Sequence, residues 1–95
     1  MCIRDRLQPD IMRGGYTNLI YTAKLANQYG IKIAPHMFPE LSIHIVASIE
    51  NSSWLEYMGW YDHLWQEPLK PENGMLKVTS RPGHGMDFKP EICTF

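Results

Sequence analysis

Ile31-Lys32-Ile33-Ala34-Pro35-His36 decides how this chain is read: a short apolar run leaves through a proline and ends on a side chain able to carry a proton. Two comparable runs flank it. Leu7-Gln8-Pro9-Asp10 lies upstream and Trp54-Leu55-Glu56-Tyr57 downstream, and each delivers a carboxylate at or near its end. The stretches between the runs read as helices. Asp10, His36 and Glu56 are therefore spaced by roughly one helix-plus-strand step, the interval at which a β/α barrel brings catalytic side chains to the ends of successive strands. The predicted fold class is α/β, a partial (β/α)8 barrel with a parallel sheet and right-handed connections. A complete barrel takes about 250 residues, so the 95 residues here supply about a third of one.

The segments between these runs carry their own signals. Gly14-Gly15 predicts a flexible turn, Thr17 a helix cap, and Leu19, Ile20, Ala23 and Ala26 recur at helical spacing until Gly30 stops the run. A strand over residues 31–34 follows. Pro39 suits a first-turn position and Glu40 complements the helix dipole, while Leu41, Ile45, Ala47, Ser48 and Ile49 form an apolar or small face through about Glu50. Asn51-Ser52-Ser53 breaks that helix, and residues 54–57 read as the third strand. Beyond Pro68, turn residues dominate: 70–74 is predicted as a turn, 75–79 as a short strand, and Arg81-Pro82-Gly83-His84-Gly85 as a loop. Residues 7–66 would then hold three βα units and 67–95 a C-terminal tail. Residues 1–6 are too charged for a buried barrel strand and are expected to be a non-native leader.

Composition narrows the function classes. With 44% hydrophobic and 20% charged residues the chain reads as an ordinary globular domain, not a disordered segment. A net charge of -1, with Lys and Arg scattered, provides no electrostatic footprint for nucleic acid or an anionic membrane. No apolar run approaches the ~20 residues of a membrane span, and no signal-peptide pattern is present. Cys2 and Cys93 stand at opposite ends without metal-ligand spacing, so a cytoplasmic setting without a disulfide framework is expected. The close-set Trp54, Tyr57, Trp60, Tyr61 and Trp65 fit packing better than ligand stacking.

Each candidate residue also has a plain structural explanation. Asp10 after a proline is a natural turn or cap residue, and His36 by itself is a loop histidine. Glu56 is less easily placed, since burying a carboxylate without a partner is costly. Their joint spacing favours convergence on one site. A rival constellation is His36, Glu40 and His44, four residues apart, which on one continuous helix would put three metal-capable groups on one face. Pro39 argues against that continuity, because it disfavours helical geometry at Phe38 and starts the helix after His36.

Taken together, Gln8-Pro9-Asp10-Ile11-Met12-Arg13, Gly14-Gly15, Ala34-Pro35-His36-Met37-Phe38-Pro39-Glu40, Trp54-Leu55-Glu56 and Arg81-Pro82-Gly83-His84-Gly85 resemble the C-terminal part of the mandelate racemase/muconate lactonizing enzyme family of the enolase superfamily. One departure bears on the register of Asp10 against His36: the family pattern has one more residue between the positions of Arg13 and Gly14. The resemblance implies a carboxylate substrate, such as an acid sugar, whose α-proton is removed to give a Mg²⁺-stabilised enediolate. His36 would be the catalytic acid or base, Asp10 the carboxylate that orients its imidazole, and Glu56 a protonated group donating to the substrate carboxylate. A dehydratase is the first expectation, with a racemase or cycloisomerase beside it. The Lys-bearing second strand, the three metal-binding carboxylates and the cap domain that closes over the substrate are expected upstream of this chain. On that reading the chain alone is inactive, none of its acidic residues is a metal ligand, and the full-length form is a homo-oligomer. The alternative from another class is a noncatalytic small α/β domain that binds a partner through its sheet edges.

Overall fold

In the computed structural model, which describes residues 5–94, alternate amides of the deciding stretch all point one way. Lys32 donates to the Asp5 carbonyl at 3.3 Å, Ala34 to that of Leu7 at 2.9 Å and His36 to that of Pro9 at 2.9 Å. This is a parallel ladder between β1 (Arg6–Leu7) and β2 (Lys32–Ile33), in the register Arg6 with Lys32 and Leu7 with Ile33. A bridge between Asp10 and His36 extends it. Arg6, assigned above to a charged leader, therefore belongs to β1. Residues 1–4 lie outside the described residues.

The opposite edge of β2 corrects the third strand. Ile33 donates to the Asn51 carbonyl at 2.8 Å and accepts from the Ser53 amide at 2.9 Å, which makes a single parallel bridge to Ser52. The next donor on this edge would be residue 35. Pro35 has no N–H, so donation from β2 stops there. Pairing thus lies at residues 51–53, and residues 54–57, predicted as the strand, run on unpaired. Their side chains still alternate in use: Leu55 and Tyr57 pack on a buried cluster of Ile43, Leu69 and Met86, while Trp54 is 68% exposed.

The first helix starts earlier than its periodicity suggests. α1 (Ile11–Gln28) is capped by Asp10, not by Thr17: Asp10 is extended and its Oδ1 accepts from the Met12 amide at 2.8 Å. The predicted Gly14-Gly15 turn survives as a kink inside the helix. Gly15 has φ 69° and ψ −178°, a conformation essentially restricted to glycine. Gly30, also at positive φ, ends the element as expected, with the Ile31 amide donating back to Ala26 at 3.0 Å. α2 (Pro39–Ser48) begins with Pro39 in its first turn.

Packing follows from these faces. Leu19 of α1 meets Ile11 and Ile45, and Ala23 and Ala26 allow the helix to lie close on Ile33. Buried Asn51 links the layers, because its Nδ2 donates both to the Ala23 carbonyl of α1 at 3.0 Å and to the Ile31 carbonyl at 2.9 Å. In the tail, Glu72 and Met75 pair across Asn73-Gly74, both at positive φ, as the turn signal predicts. The strand predicted over 75–79 is corrected. Only Met75 is bridged, and Leu76 and Val78 alternate because both pack on the Ile43 cluster, without a partner strand. A 3₁₀ helix (Gly59–Leu64) leads into Trp65, which pairs and stacks with Phe88 of the returning tail, their ring centroids 4.5 Å apart. No helix among the described residues is long and apolar enough to cross a membrane.

Replacing Asn51 with alanine removes both side-chain donors and leaves the half-buried Ile31 carbonyl without that partner. The expected loss is about 1–3 kcal/mol of stability, read from the urea midpoint at unchanged m-value.

Candidate active site

The ladder register places Asp10 opposite His36 before any side chain is considered. The Asp10 carboxylate then divides its oxygens: Oδ1 caps α1, and Oδ2 lies 3.1 Å from His36 Nδ1. A carboxylate accepts only, so in the neutral imidazole the proton sits on Nδ1 and the lone pair is left on Nε2. The His36 side chain is 42% exposed, enough for a ligand to reach it. The shortening between Arg13 and Gly14 does not separate the pair. The Met12 amide first, and then the His36 imidazole, hold the Asp10 carboxyl below the ordinary carboxylate range, against the opposing effect of partial burial; the charges of His36 and Arg13 add to the lowering.

Glu56 joins this pair through the backbone, not through a strand end. Its Oε2 accepts from the Met37 amide at 2.7 Å, one residue beyond His36. That amide is turned toward Glu56 by two consecutive left-handed residues, Met37 at φ 53° and Phe38 at φ 47°. Neither is glycine, and such conformations cost about 1–3 kcal/mol each where nothing holds them. Phe38 is anchored by stacking on Tyr61, with ring centroids 6.0 Å apart and planes within 8°. The Met37 N–H is a site element that sequence reasoning missed, and no Gly or Asn announces its turn.

The His36, Glu40 and His44 constellation is not assembled. His36 precedes α2, and the two left-handed residues separate it from the helix. Glu40 is only 3% exposed and its Oε1 accepts from Trp65 Nε1 at 3.3 Å. His44 Nε2 donates to the His84 carbonyl at 2.9 Å. Among the described residues no three His, Cys, Asp or Glu side chains are grouped to hold a metal ion. A cavity of about 670 Å³ lies in the tail, lined by residues 67–70, Glu72, residues 75–81 and Met86, away from Asp10, His36 and Glu56. Chemistry, not volume, marks the site.

A histidine–carboxylate pair at neighbouring parallel strand ends, with a second carboxylate beside it, defines the class: an α/β domain with titratable side chains gathered at one end of its sheet. The chain belongs to the enolase C-terminal domain-like family, whose model matches residues 3–92. It is 34% identical over 85 residues to the L-talarate/galactarate dehydratase of Salmonella typhimurium strain LT2, a match covering 88% of this chain and 21% of that enzyme. It is 31% identical over 86 residues to the 3,6-anhydro-alpha-L-galactonate cycloisomerase of Streptomyces coelicolor, covering 86% and 24%. Among solved structures, L-talarate dehydratase from Polaromonas sp. JS666, complexed with Mg and L-glucarate, superposes with a TM-score of 0.84 at 33% identity, covering 93% of this chain and 25% of that one. The chain thus spans between a fifth and a quarter of the length of these relatives.

The lowered Asp10 value fixes a pH dependence. A carboxyl depressed in the folded state contributes stability above its unfolded value, near 3.8, and loses it as pH falls through the folded value. The stability difference between the native chain and Asp10→Asn is therefore expected to shrink as pH falls below about 4. Urea titrations of both chains across that range read it directly.

Proposed function

We propose that this chain is the part of a Mg²⁺-dependent acid-sugar dehydratase that carries its histidine–aspartate acid/base pair. The observation that carries the reading is the 3.1 Å contact between His36 Nδ1 and Asp10 Oδ2, which leaves Nε2 as the proton-transfer atom. In this reading Nε2 removes the proton α to a substrate carboxylate, or delivers a proton to the departing β-hydroxyl. Asp10 holds the tautomer and stabilises the imidazolium while the proton resides there. Glu56, in its protonated form, donates from its free oxygen to the substrate carboxylate, its other oxygen being occupied by the Met37 amide. The names of the relatives support the dehydratase outcome first, and the cycloisomerase relative supports an isomerase as the second reading.

Mg²⁺ neutralises charge on a substrate carboxylate where it is bound. The described residues do not fit it, since they offer no three-ligand group. In the proposal it is held by carboxylates outside the quarter of the relatives that this chain matches. Residues 7–66, with β1 opening one residue earlier at Arg6, supply the last βα units of an enolase-type barrel, and 67–95 supply a tail that packs on a cap domain.

Two measurements test this. Exchanging the matching fifth of the Salmonella dehydratase for this chain is expected to give a chimera that dehydrates galactarate in the presence of Mg²⁺, and His36→Asn in it to lower kcat by about 10²–10⁴-fold. A folded chimera whose turnover is indifferent to His36 overturns the assignment. The 95-residue chain alone, with Mg²⁺ and the same acid sugar, is expected to show no turnover. Sustained product formation by the isolated chain removes the claim that it needs metal ligands from elsewhere.

A further inference from the structure

We propose that Ser42 is a positioning residue for the candidate site: its hydroxyl holds the left-handed turn that aims the Met37 amide at Glu56. This rests on Glu56 being a site residue, as read above, but on no particular reaction. Ser42 lies in the opening turns of α2 and is 0% exposed, so water has no access to take its place. Its amide makes the usual helical bond to the Phe38 carbonyl at 2.9 Å. Its hydroxyl reaches one residue further back, donating to the Met37 carbonyl at 3.2 Å. A serine inside a helix ordinarily bonds the carbonyl three or four residues before it. Here the hydroxyl leaves the helix, and Ser42 holds the carbonyls of both left-handed residues, one with its side chain and one with its backbone.

The effect on Glu56 follows from the geometry. His36 is fixed on the upstream side by its amide on Pro9, and the Met37 carbonyl is fixed on the downstream side by Ser42. Met37 spans two pinned points, and φ 53° is the conformation that joins them with its N–H on Glu56 Oε2. Without the hydroxyl nothing holds the Met37 carbonyl from that side, and a methionine relaxes toward negative φ, swinging the amide off the carboxylate.

Two backbone amides make this measurable in the full chain labelled with ¹⁵N. The Met37 amide faces Glu56 and the Met12 amide faces Asp10, so each shift should carry the titration step of its own carboxyl. Glu56→Gln assigns the first step by abolishing it. In Ser42→Ala the Met37 step is expected to fall by half or more while the Met12 step persists, a selective loss that general destabilisation does not produce. Adding Met37→Gly, which accepts positive φ freely, is expected to restore the step at position 37. Ser42→Ala retaining the full Met37 step overturns the proposal. Should Ser42→Ala fail to fold, the double variant decides: a folded double variant with the step at position 37 supports the role, and one that is unfolded or lacks the step removes it. Turnover is not read, so failure of the dehydratase reading and failure of this one are separate results.

Discussion

The histidine–carboxylate pair at the candidate site hangs on the two oxygens of Asp10. One accepts from the Met12 amide and starts α1; the other meets the imidazole of His36 at the far end of the next ladder step. Because the first bond fixes the carboxylate against a helix terminus, the second is made by a group that is already oriented. The imidazole is fixed likewise, since the His36 amide is bonded to the Pro9 carbonyl on the same parallel ladder. A pair of side chains constrained at both backbones loses little freedom on meeting, which is how a short and partly exposed contact keeps one geometry. The cap and the contact with His36 are therefore made by one carboxylate, and the cap is the means by which the pair is aimed.

Prolines define where this ladder operates. Pro9 contributes a carbonyl to it but has no N–H to give the Ala34 carbonyl, and Pro35 likewise falls where an N–H would be needed on the opposite edge. The sheet consequently pairs β1 with β2 over two residues, resumes past Pro9 as the bridge between Asp10 and His36, and is reduced to one bridge beside Ser52. That asymmetry decides how the two carboxylates reach the histidine. Asp10 arrives by strand register. Glu56 comes from an unpaired segment and is located by the Met37 amide, so its placement depends on a strained turn in place of a sheet.

The difference explains what was legible in the sequence. Strand-end spacing brought Asp10 and His36 together because parallel register converts spacing into position. Pro39 correctly severed His36 from α2, which removed the rival metal constellation. The third strand was misplaced by a few residues because the alternation of Leu55 and Tyr57 reports burial on one side, and burial does not require a hydrogen-bonded partner. Residues 75–79 failed for the same reason. The early start of α1 was hidden by Gly14-Gly15, whose glycine conformation kinks the helix without ending it. The left-handed pair at Met37 and Phe38 had no signal at all: its residue types oppose the conformation, and only tertiary bonds select it.

A site built this way divides into parts with different structural needs. The contact between Asp10 and His36 lies within a single βαβ unit, so its geometry is set by one ladder and one helix cap and requires no closed barrel. Glu56 needs the next connection as well, because α2 carries the backbone from the Met37 turn to the segment on which the carboxylate sits. A three-ligand metal group has no counterpart among the described residues. In a fold whose chemistry comes from the ends of several strands, each added strand end contributes one more function. The proton transfer proposed for His36 is the function that the smallest number of strands can orient, and the buried Asn51 tie, joining α1, β2 and the start of the third pairing, keeps those strands in register.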